Sequence, residues 1–204
     1  MNKVGITGGI GSGKSHVCKI LEDMGYPIFY TDNEAKLILI NNVEVRNFIV
    51  KNYGEESFID NKPNSKHLAN ILFNDDLEMK RLSDLTTPII RSKLSKWLVD
   101  NSNHEFTFVE SAIIFEYGLD VLFDSVVCVS ASFNTRIDRV LKRDSHRTRE
   151  DVVTIMGKQF SEEKRTELSD HIIFNDNITE KEIKTRDVLI EEIEEILKKI
   201  KEKC

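Results

Sequence analysis

The 204-residue sequence predicts an α/β fold. Five short strands should form a parallel sheet with helices on both faces, interrupted by a mainly helical insertion. Three observations lead there. Short apolar runs alternate with segments whose apolar residues recur at helical spacing. A glycine-rich octet, Gly8-Gly9-Ile10-Gly11-Ser12-Gly13-Lys14-Ser15, lies between the first such strand and the first such helix. Acidic residues then stand directly after two further strands, at Asp32 and Glu110.

Residues 3–6 are a short apolar run suited to a buried strand. After the octet, Val17, Ile20, Leu21 and Met24 mark one helix face. Gly25-Tyr26-Pro27 turns the chain into a second strand, residues 28–30. Thr31 with Glu34 has the form of a capping box, so a helix should start there and carry Ala35, Ile38 and Leu39 inward. Residues 41–103 read as mainly helical. Val45, Phe48 and Ile49 suggest one helix, closed at Tyr53-Gly54. A polar loop is expected over residues 60–64, then a helix carrying Leu68, Ile71 and Leu72. Residues 77–98 form a helical stretch in which Pro88 either kinks the helix or opens its second half. Trp97, on this stretch, suits a core or pocket wall. Alternation resumes with strands at 106–109, ending in Glu110, and at 125–129. A helix over 136–143 and a charged segment to about Arg165 follow. A fifth strand is expected at 172–174. Thr179 and Glu182 form a second capping box before a long helix striped by Ile183, Ile190, Ile193, Leu197 and Ile200.

The octet is G-x-x-x-x-G-K-[ST], the phosphate-cradling loop of nucleotide-binding enzymes, in the strand–helix setting that gives the pattern its meaning. Glycines allow backbone conformations that a Cβ forbids, so successive N–H groups can face an anion at the positive end of the helix. Lys14 should reach the β- and γ-phosphates, and the Ser15 hydroxyl suits Mg²⁺. This predicts the P-loop NTPase fold. In open parallel sheets the ligand lies at the carboxyl ends of the strands, so the loop, Asp32 and Glu110 should collect on one rim.

Apolar residues make up 40% and charged residues 31%, as in ordinary soluble proteins. A net charge of −6 gives no support to general nucleic-acid binding. Cys18, Cys128 and Cys204 are widely spaced, which points to a reducing compartment without a disulfide framework. No signal peptide or membrane-length apolar run is visible, and a cytoplasmic location is expected.

A kinase must orient and deprotonate an acceptor hydroxyl. Asp32 is the candidate; otherwise it is a first-turn helix acid favourable to the dipole. Glu110 stands where such enzymes place the acid that holds Mg²⁺, usually through water. Glu116 is a weaker candidate. Residues 136–165 contain Arg136, Arg139, Arg143, Arg147, Arg149 and Arg165, interspersed with acids. That pattern suits a solvated helical face, or a lid whose planar guanidinium forks bind phosphate. Arg139 and Arg143 are preferred, near the end of the helix after the fourth strand. The five histidines show no metal-ligand spacing.

From Val4 to about Asn175 the chain resembles the dephospho-coenzyme A kinases. Residues 5–15 are very close to that family's opening. Asp32 matches the second acid of its strand-end D-x-D, the acid taken as base, while Tyr30 replaces the first. Residues 66–73 resemble the helix before its aspartate-rich turn, and Thr87-Pro88 keeps only the proline of its His-Pro. Glu110-Ser111-Ala112-Ile113-Ile114-Phe115-Glu116 is similar to D-x-P-L-L-F-E, with Ala112 for proline. Arg139 and Arg143-Asp144 match R-x-x-x-R-D. Arg136 stands where glutamine is usual, and His16 where threonine is. Gln159 matches the lid glutamine, and Ser169-Asp170 with Asn175 resembles A-D…N.

The resemblance implies an adenylate-kinase-like fold. It would have a core of about 1–40, 104–142 and 166–204, a helical coenzyme A subdomain of about 41–103, and a lid of about 143–165. It implies transfer of the ATP γ-phosphate to the 3′-hydroxyl of dephospho-coenzyme A, with Mg²⁺ as cofactor. Expected ATP contacts are Gly8, Gly9, Ile10, Gly11, Ser12, Gly13, Lys14, Ser15, His16, Arg139 and Arg143. Asp32, Lys14 and Arg143 are the expected catalytic residues, with Ser15 and Glu110 toward the metal. No nucleic-acid or membrane partner is expected, and the chain should be a monomer or weak homo-oligomer. The rivals are another small-molecule or nucleoside monophosphate kinase and, distantly, a nucleotide-dependent switch. The switch would want N-K-x-D, and the nearest string, Asn61-Lys62-Pro63-Asn64, ends in Asn.

Overall fold

The alternation of buried β-branched runs and amphipathic helices folds as the pattern requires. A computed structural model describes residues 1–72, 75–176 and 185–203. In chain order the elements are β1 (Asn2–Thr7), α1 (Lys14–Asp23), β2 (Ile28–Tyr30), α2 (Thr31–Asn41) and α3 (Val43–Tyr53). Then come β3 (Phe58–Ile59), β4 (Lys62–Pro63), α4 (Ser65–Leu72), α5 (Asp76–Asp100) and β5 (Phe106–Glu110). The chain continues with β6 (Ser125–Ser130), α6 (Phe133–Arg143), α7 (Arg149–Gly157), α8 (Glu162–Leu168), β7 (His171–Phe174) and α9 (Arg186–Lys203). Contacts divide the chain into two units, Met1–Phe29 with Asn101–Cys204, and Tyr30–Asp100.

The first unit is organised by a five-stranded sheet of order β2-β5-β1-β6-β7. β1 pairs in parallel with β5 on one side and β6 on the other, and β7 extends the sheet in parallel from β6. The direction of winding reverses at β1, so the segment after it sits at a topological switch point, where such sheets bind ligands. Residues of β5 and β6 are buried on both faces, as a sheet sandwiched between helices demands. In α9, Leu189, Ile193, Ile196, Leu197 and Ile200 are buried. The inward stripe therefore takes Leu189, not the expected Ile190, which is only partly covered. Thr179, Glu182 and Ile183 lie outside the described residues.

The second unit packs Ile38, Val45, Ile49, Tyr53, Leu68, Leu72 and Leu82 into its own apolar cluster. Two local expectations change here, and a third is narrowed. Tyr30, not Thr31, caps α2, and no side chain closes that cap; Thr31 is already the first helical residue, so the capping box is not made. Over the expected polar loop, β3 and β4 pair antiparallel about Asp60 and Asn61, both at positive φ (49° and 62°). Aspartate and asparagine tolerate that region better than other side-chain-bearing residues, so a polar stretch could close a hairpin. Pro88 lies inside a continuous α5 rather than dividing it.

Among the described residues no helix is long and apolar enough to cross a membrane.

Candidate active site

β1 delivers the chain into the loop at Gly8, and α1 begins at Lys14. Gly13 caps the helix at φ 99°, in the left-handed region that favours glycine. Gly11, at φ 79°, lies so near the Arg136 backbone that a Cβ would collide with its carbonyl. Chemistry and space thus select glycine at both places. Ser12 and Lys14 are buried, whereas Ser15 and His16 are exposed at the head of α1. The Lys14 ammonium donates to the Gly8 carbonyl at 2.7 Å and lies 3.9 Å from Glu110 Oε1. Glu110, the last residue of β5, is 5% exposed. Register explains the meeting: Glu110 stands beside Ile6 on the adjacent strand. The rim expectation is met for the loop and Glu110. Asp32 is exposed in the first turn of α2, in the second unit.

The arginines divide in a way the sequence did not suggest. Arg139 donates to the carbonyls of Ser12 (3.2 Å) and Asn175 (2.7 Å). The Asn175 amide also donates to Ser12, at 2.8 Å, and its backbone N–H is held by Ser130 at 2.7 Å. The end of β7 therefore secures the turn before Lys14. Arg143 is exposed and makes a two-point pair with Asp144, both contacts 2.9 Å. That pair, with Arg147 beside it, pulls the Asp144 carboxyl down to about 2. Arg136 and Arg165 are the buried members, although their surroundings in sequence read as a solvated face.

Two further tethers hold the loop tip. The Ile10 N–H donates to Gln159 Oε1 at 2.9 Å, and the Ile10 side chain packs on Ile137, Val140 and Val152 of α6 and α7. Glu116 accepts from the Phe160 N–H at 2.8 Å, which fixes the same linker from another side. Gln159 and Asn175 were visible only as matches to the family pattern. No local signal in the sequence pairs residues more than a hundred positions apart.

Cys18 and Cys128 are buried free thiols. Burial pushes both well above the ordinary thiol range, Cys128 to about 12, so neither is a nucleophile. Among the described residues no three His, Cys, Asp or Glu side chains group as a resident metal site.

The arrangement is a tethered loop of backbone N–H groups at a helix head, with a buried ammonium and a buried carboxylate at its base. Comparison with known proteins specifies it further. A family model for dephospho-CoA kinase matches residues 2–181. A dephospho-CoA kinase of Salinibacter ruber is 34% identical over 179 residues, covering 86% of this chain and 89% of its own. The Bacteroides fragilis enzyme of that name is 32% identical over 174 residues, covering 85% and 84%. Among solved structures, a Thermus thermophilus protein superposes with a TM-score of 0.79 at 26% identity, over 97% of both chains. The dephospho-CoA kinase from Campylobacter jejuni gives 0.66 at 26% identity, over 96% of both. A shikimate kinase from Acinetobacter baumannii, at 11% identity and 0.53, shares the fold. The match of the family model across most of the chain, with relatives above 30% identity, shows that this chain belongs to the dephospho-CoA kinase family.

Proposed function

We propose that the protein transfers the γ-phosphoryl group of ATP to the 3′-hydroxyl of the ribose of dephospho-coenzyme A, the last step of coenzyme A synthesis. The observation that carries this is the phosphate loop at the switch point of the sheet, in a chain of this family.

Gly8 through Ser15, with His16 following, bind the phosphates. Loop N–H groups and the head of α1 supply the anion site, and Lys14 neutralises charge building on the β- and γ-oxygens. Its contacts with Gly8 and Glu110 keep the ammonium at the base of the loop before substrate arrives, so little reorganisation is needed. Ser15 and Glu110 offer a hydroxyl and a carboxylate, the oxygen donors that Mg²⁺ takes, with Glu110 acting through water. The ion, when bound with the nucleotide, would offset phosphate charge.

Asp32 is assigned as the base, from its place directly after β2 and from the family resemblance. It would orient the ribose hydroxyl and accept its proton as the new bond forms. Arg139 is assigned to the nucleotide side of the loop. Arg143, at the end of α6, is assigned to the transferring phosphates, for which it must exchange its Asp144 partner. Residues 143–165 are proposed as the lid and 41–103 as the coenzyme A subdomain. Buried free thiols suit a cytoplasmic protein, and we expect a monomer or weak homo-oligomer with no nucleic-acid partner.

The test is ADP release by the purified protein with Mg²⁺ and ATP, with and without dephospho-coenzyme A, using Lys14→Ala as the control. Release that depends on dephospho-coenzyme A and is lost in the control supports the assignment. Release indifferent to it refutes the assignment.

A further inference from the structure

Behind Gly9 two arginines share one carboxylate. Arg136 Nη1 and Arg165 Nη1 each lie 3.0 Å from the same oxygen, Glu162 Oε2. Arg136 is 7% exposed and Arg165 wholly buried. Both face the loop. A Cβ on Gly9 would collide with the Arg136 guanidinium and stand 3.3 Å from Arg165 Nη1. The formal charges of these three groups alone sum to one positive; the exposed Glu163 carboxylate faces Arg136 from outside, and Glu163 and Asp176 line the same cavity as Arg136.

The bonding is poor for a tie that serves stability alone. Neither arginine makes the two-point fork with Glu162 that gives a guanidinium–carboxylate pair its strength. Arg136 Nε, Arg165 Nε and Glu162 Oε1 are buried without a hydrogen-bond partner among the described residues. Arg165 has one further bond, to the Phe160 carbonyl at 2.7 Å, and Glu162 is partly exposed. Burying two guanidiniums so incompletely paired is still costly, and apolar side chains would fill the space at lower cost. What the trio supplies is charge, carried on two buried guanidiniums, where it acts at longer range than in water.

We infer that Arg136 and Arg165, bridged by Glu162, are positioning residues that hold a net positive charge behind Gly9 and set the loop's affinity for nucleotide phosphates. The inference rests on the assignment of ATP to residues 8–15. Arg136 stands on α6 and Arg165 and Glu162 on α8, so the charge is carried by helices outside the loop it serves, and two of its three members lie at the end of the segment proposed as the lid. A side chain at Gly9 would push the Arg136 guanidinium aside and so disturb this charge.

The test is a charge cycle read by calorimetric titration of the full chain with MgATP, with melting temperature measured on each sample. Arg136→Gln cancels the surplus and should weaken binding about tenfold, the order one nearby charge contributes. Glu162→Gln doubles the surplus and should tighten binding although it lowers stability. The double variant restores the net charge and should return to within about twofold of wild type. Arg136→Lys keeps the charge without the fork and should bind close to wild type, an arm that stands even if Glu162→Gln does not fold. Weakening by Glu162→Gln in step with its stability loss would overturn the inference, as would Arg136→Lys binding no better than Arg136→Gln. If Lys14→Ala binds MgATP like wild type, the placement of ATP on the loop is what fails.

Discussion

Replacing Glu110 with glutamine keeps the side chain's size and removes its charge, so the change isolates electrostatics at the base of the loop. The Lys14 ammonium lies 3.9 Å from the carboxylate, and both side chains are at least 90% covered (10% and 7% exposed). At an effective dielectric constant of about 20, unit charges at that separation attract by about 4 kcal/mol. Removing the carboxylate also removes its own desolvation cost, which offsets part of this, while Lys14 stays buried with less compensation. A net loss of about 3 kcal/mol follows, or about 6–12 °C in melting temperature for a chain of this size. No cavity forms, so packing does not add to it. Thermal unfolding of Glu110→Gln, Lys14→Met and the double variant should give a coupling well above 1 kcal/mol. Glu110→Gln should also slow turnover if the carboxylate supports Mg²⁺. A Glu110→Gln protein melting within about 2 °C of wild type would refute the claim that this pair organises the loop.

Asp32→Asn should lower kcat by about 10²–10⁴-fold, the range a general base contributes, with ATP affinity nearly unchanged; intact kcat with only a modest fall in melting temperature would return Asp32 to a helix-start role. If Arg143 binds phosphate through its planar fork, Arg143→Lys should be impaired as well as Arg143→Ala, and wild-type kinetics in both would remove it from the site. Asp144, held to about 2 first by its bond to Arg143, should titrate nearer the usual 3.8 in Arg143→Ala, as read by carboxyl NMR. Because its folded value is depressed, its contribution to stability is full above 3.8 and fades as pH falls toward about 2, and that fading should shrink in the variant. His16→Thr should preserve activity, with an equal or lower KM for ATP; a large loss of turnover would assign the exposed imidazole a function of its own.

The parts of this molecule that are local were legible in the sequence. The octet reads as a phosphate loop because its glycines, lysine and serine fall within eight residues, and β5 and β6 read as buried strands because short runs of aromatic and β-branched residues form them. Pro88 could not be decided locally, because a proline marks a missing donor without saying whether packing carries the helix past it. The loop's supports were least legible. Ile10 and Gln159 are joined across 149 positions, and Ser12 and Asn175 across 163. Arg165 sits in a run of mixed charge that looks solvated, yet it is wholly buried because α8 lies against β6, and its guanidinium bonds Glu162 of the same helix and the Phe160 carbonyl just before it. Charge spacing along a helix says which residues share a face but not what covers that face.

The acceptor defines the enzyme. Purified protein incubated with ATP, Mg²⁺ and an equimolar mixture of dephospho-coenzyme A, AMP and shikimate, read by mass spectrometry, tests its identity most directly. Dephospho-coenzyme A alone should gain a phosphoryl group, located by fragmentation at the ribose 3′-oxygen. Phosphorylation of another acceptor in its place, or of dephospho-coenzyme A at a different oxygen, would contradict that assignment.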